Sequence, residues 1–86
     1  MQPVDPGHMA YLGYEIEAHA TFEISPWGWS AVLVVRRAGA PRCAVIPTAV
    51  RCADEAAAKG AALAYGRLLI RERLATGEGP LTGLDG

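Results

Sequence analysis

Polar and apolar residues alternate without a break from Tyr14 to Ile24. Tyr14, Ile16, Ala18, Ala20, Phe22 and Ile24 fall on one side, and Glu15, Glu17, His19, Thr21 and Glu23 on the other. A period of two belongs to a strand with one buried face, and extended back to Ala10 it predicts a first strand over 10–24. Ser25-Pro26-Trp27-Gly28 then supplies turn residues. Trp29 to Arg37 is the second strand. Its Trp29, Ala31, Leu33 and Val35 continue the inner face, while Val32 and Val34 make the outer face apolar too, which suits a central strand. Ala38-Gly39-Ala40-Pro41 makes a second turn, and a third strand covers Arg42 to Thr48. With the first turn centred on Pro26-Trp27, Phe22 faces Ala31, Ala20 faces Leu33, Ala18 faces Val35 and Glu17 faces Arg36. The second turn sets Val34 against Val45 and Leu33 against Ile46. Inner residues then meet inner residues throughout, as a consistent register requires.

From Cys52 to Ala75 the pattern changes to that of a long helix, rich in alanine and free of proline. Cys52-Ala53-Asp54-Glu55 has the spacing of a capping box, with Cys where Ser or Thr would stand. Asp54 and Glu55 suit the positive end of the helix dipole, and Arg71 and Arg73 the negative end. One stripe of this helix holds Ala56, Gly60, Leu63, Ile70 and Leu74, with Arg67 among them. A second stripe, roughly opposite, holds Ala58, Ala61, Tyr65, Leu68 and Leu69, and Lys59, Arg73 and Glu55 mark one boundary between the two. A helix on a sheet needs one apolar stripe, so a second one predicts a further cover. In a chain this short that cover is expected from another copy, giving a homodimer centred on Ala61, Tyr65, Leu68 and Leu69.

The predicted fold class is α+β: a three-stranded antiparallel β-meander, order 1-2-3, packed against one long C-terminal α-helix. The domain covers 10–75, with flexible segments over 1–9 and 76–86 where Pro, Gly and Asp replace any periodicity. At 86 residues such a domain buries only about 60% of its unfolded surface, so it gains from association.

Composition narrows the function classes. The chain is 51% hydrophobic and 20% charged, which excludes a disordered protein. A net charge of −1 gives no general attraction for nucleic acid or anionic membrane, and no apolar run is long enough to span a bilayer. Cys43 and Cys52 make neither a disulfide framework nor a metal-ligand spacing, and read as reduced thiols of a cytoplasmic protein.

Candidate chemistry is sparse. His19 lies among Glu15, Glu17 and Glu23, a combination that can move protons, but it stands on an open strand face with no nucleophile in view. Only the helix start at Cys52 would lower a thiol pKa. No phosphate-binding loop, paired-cysteine motif or dinucleotide fingerprint is present. No catalytic, cofactor-binding or metal site is therefore expected, and the protein is read as a non-enzymatic interaction module. The rival reading is nucleic-acid binding. Trp27, Arg36, Arg37 and Arg42 cluster at the two turns, and three strands followed by a helix is a layout similar to the DNA-binding domains at integrase N-termini. Glu15, Glu17 and Glu23 occupy the face a groove would meet and would repel phosphates.

Gly13-Tyr14-Glu15-Ile16, Gly28-Trp29, and Ala56, Gly60 and Gly66-Arg67 in the helix together resemble a group of small proteobacterial βββα domains of unknown function. The resemblance covers roughly Tyr11 to Leu74 and implies the same architecture. It brings no activity, and it departs at Cys52, where the group carries Thr or Ser as the helix cap.

Overall fold

The alternating stretch forms strands as expected, but it is broken once. The computed structural model describes residues 7–24, 27–77, 79 and 81. Its elements are β1 (His8–Tyr11), β2 (Tyr14–Ile24), β3 (Trp27–Arg37), β4 (Cys43–Pro47) and α1 (Glu55–Thr76). The strands form one antiparallel sheet in the order β1-β2-β3-β4, with α1 against one face.

The sheet thus has four strands rather than three. The extra strand arises because the chain reverses at Leu12-Gly13, pairing Tyr11 with Tyr14. Both turn residues have positive φ, 49° and 89°, as a two-residue type I′ hairpin requires. Gly13 adopts this freely, whereas Leu12 spends roughly 1–2 kcal/mol in the left-handed region. A leucine is not a turn signal, so the period of two hides the break. Across the turn the buried positions switch from odd to even numbers. Met9 and Tyr11 pack against the core on one side, and Tyr14, Ile16 and Ala18 are buried on the other. β1 starts at His8, within the stretch read from sequence as a lead-in.

Between β2 and β3 the pairing runs as far as Ile24 against Trp27, leaving only residues 25 and 26 between the strands. The register therefore lies two residues from the expected one. Phe22 faces Trp29, Ala20 faces Ala31, Ala18 faces Leu33, and Glu15, in place of Glu17, faces Arg36. A slip of two keeps every side chain on its face, which is why the pattern cannot distinguish the two registers. The β3–β4 register is the expected one, with Val34 against Val45 and Leu33 against Ile46.

Helix α1 starts at Glu55, not Cys52. Asp54 is its N-cap, taking a 2.7 Å hydrogen bond from the Ala57 N–H to Oδ1. A carboxylate is a far better cap acceptor than a thiol, so the helix begins at the residue that can satisfy it. Cys52 instead completes the sheet: the Trp29 N–H donates to the Cys52 carbonyl at 2.8 Å, and the Cys52 N–H to the Trp29 carbonyl at 3.0 Å. At the other end Gly77 adopts the left-handed conformation and donates to the Arg73 carbonyl at 2.8 Å, closing the helix.

Neither predicted stripe faces the sheet by itself. The buried residues of α1 are Ala58, Ala62, Leu63, Gly66, Leu69 and Ile70, a face that straddles the boundary between the two stripes. The small residues explain the choice. Ala62 and Gly66 run along its centre and let the helix axis approach β2, and the larger Leu63, Leu69 and Ile70 flank them. At Gly66 a Cβ would come within 3.0 Å of Ile16 Cγ2. Ile16, Leu33, Val35, Ile70 and Leu81 are the largest fully buried side chains. Leu81 comes from the stretch beyond the helix that composition marks as a tail. Among the described residues no helix is long and apolar enough to cross a membrane.

Candidate functional site

The expected helix interface is divided by the helix orientation. Leu69 lies in the core at 6% exposure, whereas Tyr65 at 41% and Leu68 at 56% remain outside with Ala61. Tyr65 also borders an open, apolar groove of about 490 Å³ with Pro47, Thr48, Ala49 and Val50. The outer side of α1 is thus apolar in part, but it lacks the leucine expected at its centre.

The candidate nucleic-acid contacts do not converge. Trp27 opens β3, and Arg36 and Arg37 close it, so about 30 Å of strand separates them. Arg36 lies on the outer face in an ion pair with Glu15, which raises the arginine pKa further through the hydrogen bond and the charge of that carboxylate. Arg37 turns to the opposite face and stands 6.0 Å from the centre of the Tyr14 ring. Arg42 is exposed just before β4. On the outer sheet face Glu17 and His19 stand opposite Val34 and Val32, Val34 stands opposite Val45, and Arg36 stands opposite Glu15, so the described face is apolar and acidic rather than basic.

His19 Nε2 lies 3.2 Å from Glu17 Oε2, both exposed. Beside them an open notch of about 360 Å³ runs between the edge of β2 and the start of α1, lined by His8, Ala18, Ala20, Glu55 and Lys59 among others. Glu55 and Lys59 pair across one helical turn at 3.1 Å. The notch has polar walls and an alanine floor. Among the described residues no three His, Cys, Asp or Glu side chains are grouped to hold a metal ion, and Cys43 and Cys52 are both free.

The feature that sequence reasoning missed lies at the end of the central hairpin. β2 and β3 are each 11 residues long, whereas β1 has 4 and β4 has 5, so the hairpin extends beyond its flanking strands. Its inner face there carries Phe22, Ile24, Trp27 and Trp29, and the first three are 41%, 80% and 63% exposed. Phe22 packs edge-on to both tryptophans, at 5.4 Å from Trp27 and 5.5 Å from Trp29 between ring centres. On the opposite face Glu23 Oε1 accepts from Arg51 Nη1 at 2.8 Å. The Arg51 stem crosses Gly28 so closely that a Cβ there would lie 2.9 Å from Arg51 Cδ. The hairpin end is therefore braced from outside and left uncovered within. Strand length was the available signal: eleven alternating residues exceed what the shorter flanking runs can cover.

No protein-family model, curated protein or solved structure matches the chain.

Proposed function

We propose that this chain is a non-enzymatic assembly module of the cytoplasm that acts as a homodimer. The observation that carries the reading is the uncovered aromatic end of the β2–β3 hairpin, where Ile24 and Trp27 are more than half exposed and Phe22 nearly so. Covering such a side chain gains roughly 1.5–3 kcal/mol. These three are already partly covered, so on two copies they recover less than six full burials, a gain of the same order as the roughly 4–15 kcal/mol cost of association, and the dimer is of modest affinity. A single domain of this size also has a small core of its own and gains from the added burial.

Tyr65, Leu68 and the neighbouring groove support a second location for the same self-association, on the outer side of α1. The reading is tested by solution mass across a concentration series. It expects a species of about twice 9.1 kDa that dissociates on dilution, and a strict monomer would end it. Flat titrations against generic DNA and RNA are expected as well, because Arg36 is paired with Glu15 and among the described residues no basic surface accompanies Trp27.

A further inference from the structure

Strand β2 outruns its neighbour on one side. Its pairing with the N-terminal strand reaches Gly7, whose carbonyl accepts from the Ala18 N–H at 2.6 Å, and β2 continues to Ile24. In an antiparallel strand, alternate residues turn their backbone groups to the same side. Ala20, Phe22 and Ile24 follow Ala18, so their N–H and C=O groups point away from β3, along an edge that no described strand covers. The far edge of β3 is closed by comparison. Cys52 pairs with Trp29, and the Thr48 hydroxyl donates to the Ala31 carbonyl at 2.6 Å. Protected edges carry lysine, proline or a bulge. Ala20–Ile24 has no lysine or proline and pairs with β3 without a bulge, and its one charge, Glu23, is held on the outer face by Arg51.

We infer that a second copy of this chain pairs along this edge, antiparallel, about a two-fold axis at Phe22. The inference rests on the self-association reading and names its surface. Counting out from the axis, Phe22 faces Phe22 of the second copy, Ala20 faces Ile24, and Thr21 faces Glu23. Three properties select a copy of the same strand. Phe22 has its backbone groups outward, so the axis closes a hydrogen-bonded pair, flanked on each side by an Ala20–Ile24 pair of the same kind. Glu23 meets Thr21, so no like charges are opposed on the outer face. On the inner face Ala20 is small, and with Ala18 and Lys59 it lines the notch beside the edge. The second copy's Ile24 stands opposite Ala20 on that same face, which directs its exposed side chain into the notch. Two four-stranded sheets thereby become one continuous sheet.

Sedimentation of the wild type beside Ile24→Lys, Ala20→Pro and Leu68→Glu, each checked for fold by circular dichroism, tests this pairing. Ile24 is 80% exposed in the single chain, so lysine there leaves the fold intact and places a charge at the joint. Proline at Ala20 removes an N–H that the sheet does not use and deletes two hydrogen bonds from the symmetric pair. The expected result is a wild-type dimer that Leu68→Glu retains, while Ala20→Pro weakens association by roughly thirtyfold and Ile24→Lys by at least as much. A wild-type dimer that survives Ile24→Lys overturns the edge pairing and leaves self-association standing. A wild type that remains at 9.1 kDa at every concentration removes both.

Discussion

Gly60 and Gly66 lie in the same helix and invite the same substitution with opposite results. A Cβ built at Gly60 has nothing within 4 Å, and the residue is exposed. Alanine there gains helix propensity alone, about 1 kcal/mol. In a domain of this size that raises Tm by about 4–8 °C. At Gly66 the same methyl meets Ile16 Cγ2 at 3.0 Å, Ile16 Cδ1 at 3.4 Å and Leu33 Cδ1 at 3.6 Å. Ile16 and Leu33 are fully buried, so neither has room to withdraw. The propensity gain of about 1 kcal/mol is opposed by an overpacking cost of about 1–3 kcal/mol, a net loss of up to about 2 kcal/mol. Thermal and urea unfolding of both variants, followed by circular dichroism at one protein concentration, reads the difference directly. Gly60→Ala should unfold at higher temperature than the wild type and Gly66→Ala at lower. If Gly66→Ala gained as much as Gly60→Ala, the helix would stand farther from β2 than described, and the role given to small residues in choosing its buried face would be refuted. A loss at Gly60 would mean that something covers it.

Two further substitutions probe polar groups. The Tyr14 hydroxyl is buried without a hydrogen-bond partner among the described residues, so Tyr14→Phe should raise the urea midpoint by the equivalent of about 1–3 kcal/mol, and a lowered midpoint would reveal a partner for it. The Glu23 carboxyl is held below its ordinary 4.5 by the Ser30 hydroxyl first and then by Arg51; its contribution is present above pH 4.5 and lost as pH falls through the lowered folded value. Glu23→Gln should therefore be less stable than the wild type at pH 6, with a gap that narrows as pH falls below 4.5, and a gap independent of pH would contradict the assignment.

The faces of the strands were legible from sequence because burial on one side imposes a period of two, and Tyr14, Ile16, Ala18, Ala31, Leu33 and Val35 are all in the core. The turns were less legible. Leu12 carries no side-chain preference for positive φ, so the hairpin after β1 had to be found in three dimensions. The β2–β3 register depends on turn length, which Ser25-Pro26-Trp27-Gly28 leaves open by two residues. On the helix, alanine and glycine weaken the contrast between faces, and both expected stripes are displaced from the one that packs, each sharing only part of it. The same weakness affected the candidate site. The pattern places Leu69 outward, and it lies inside; it places Phe22 and Ile24 on the inner face, where they extend past the described flanking strands and stay 41% and 80% exposed.

The three strand pairings have partners whose residue numbers add to 25, 51 and 79, all odd. An even number of residues therefore separates the members of every cross-strand pair, and the buried set alternates from odd to even and back as the chain proceeds. This constrains how the length of such a chain can change over time. An insertion or deletion of a single residue in any loop would turn a whole strand inside out unless a bulge absorbed it, whereas a change of two preserves the core. Length variation that spares this fold should thus come in pairs at its turns, and alignments of descendants should be read in steps of two.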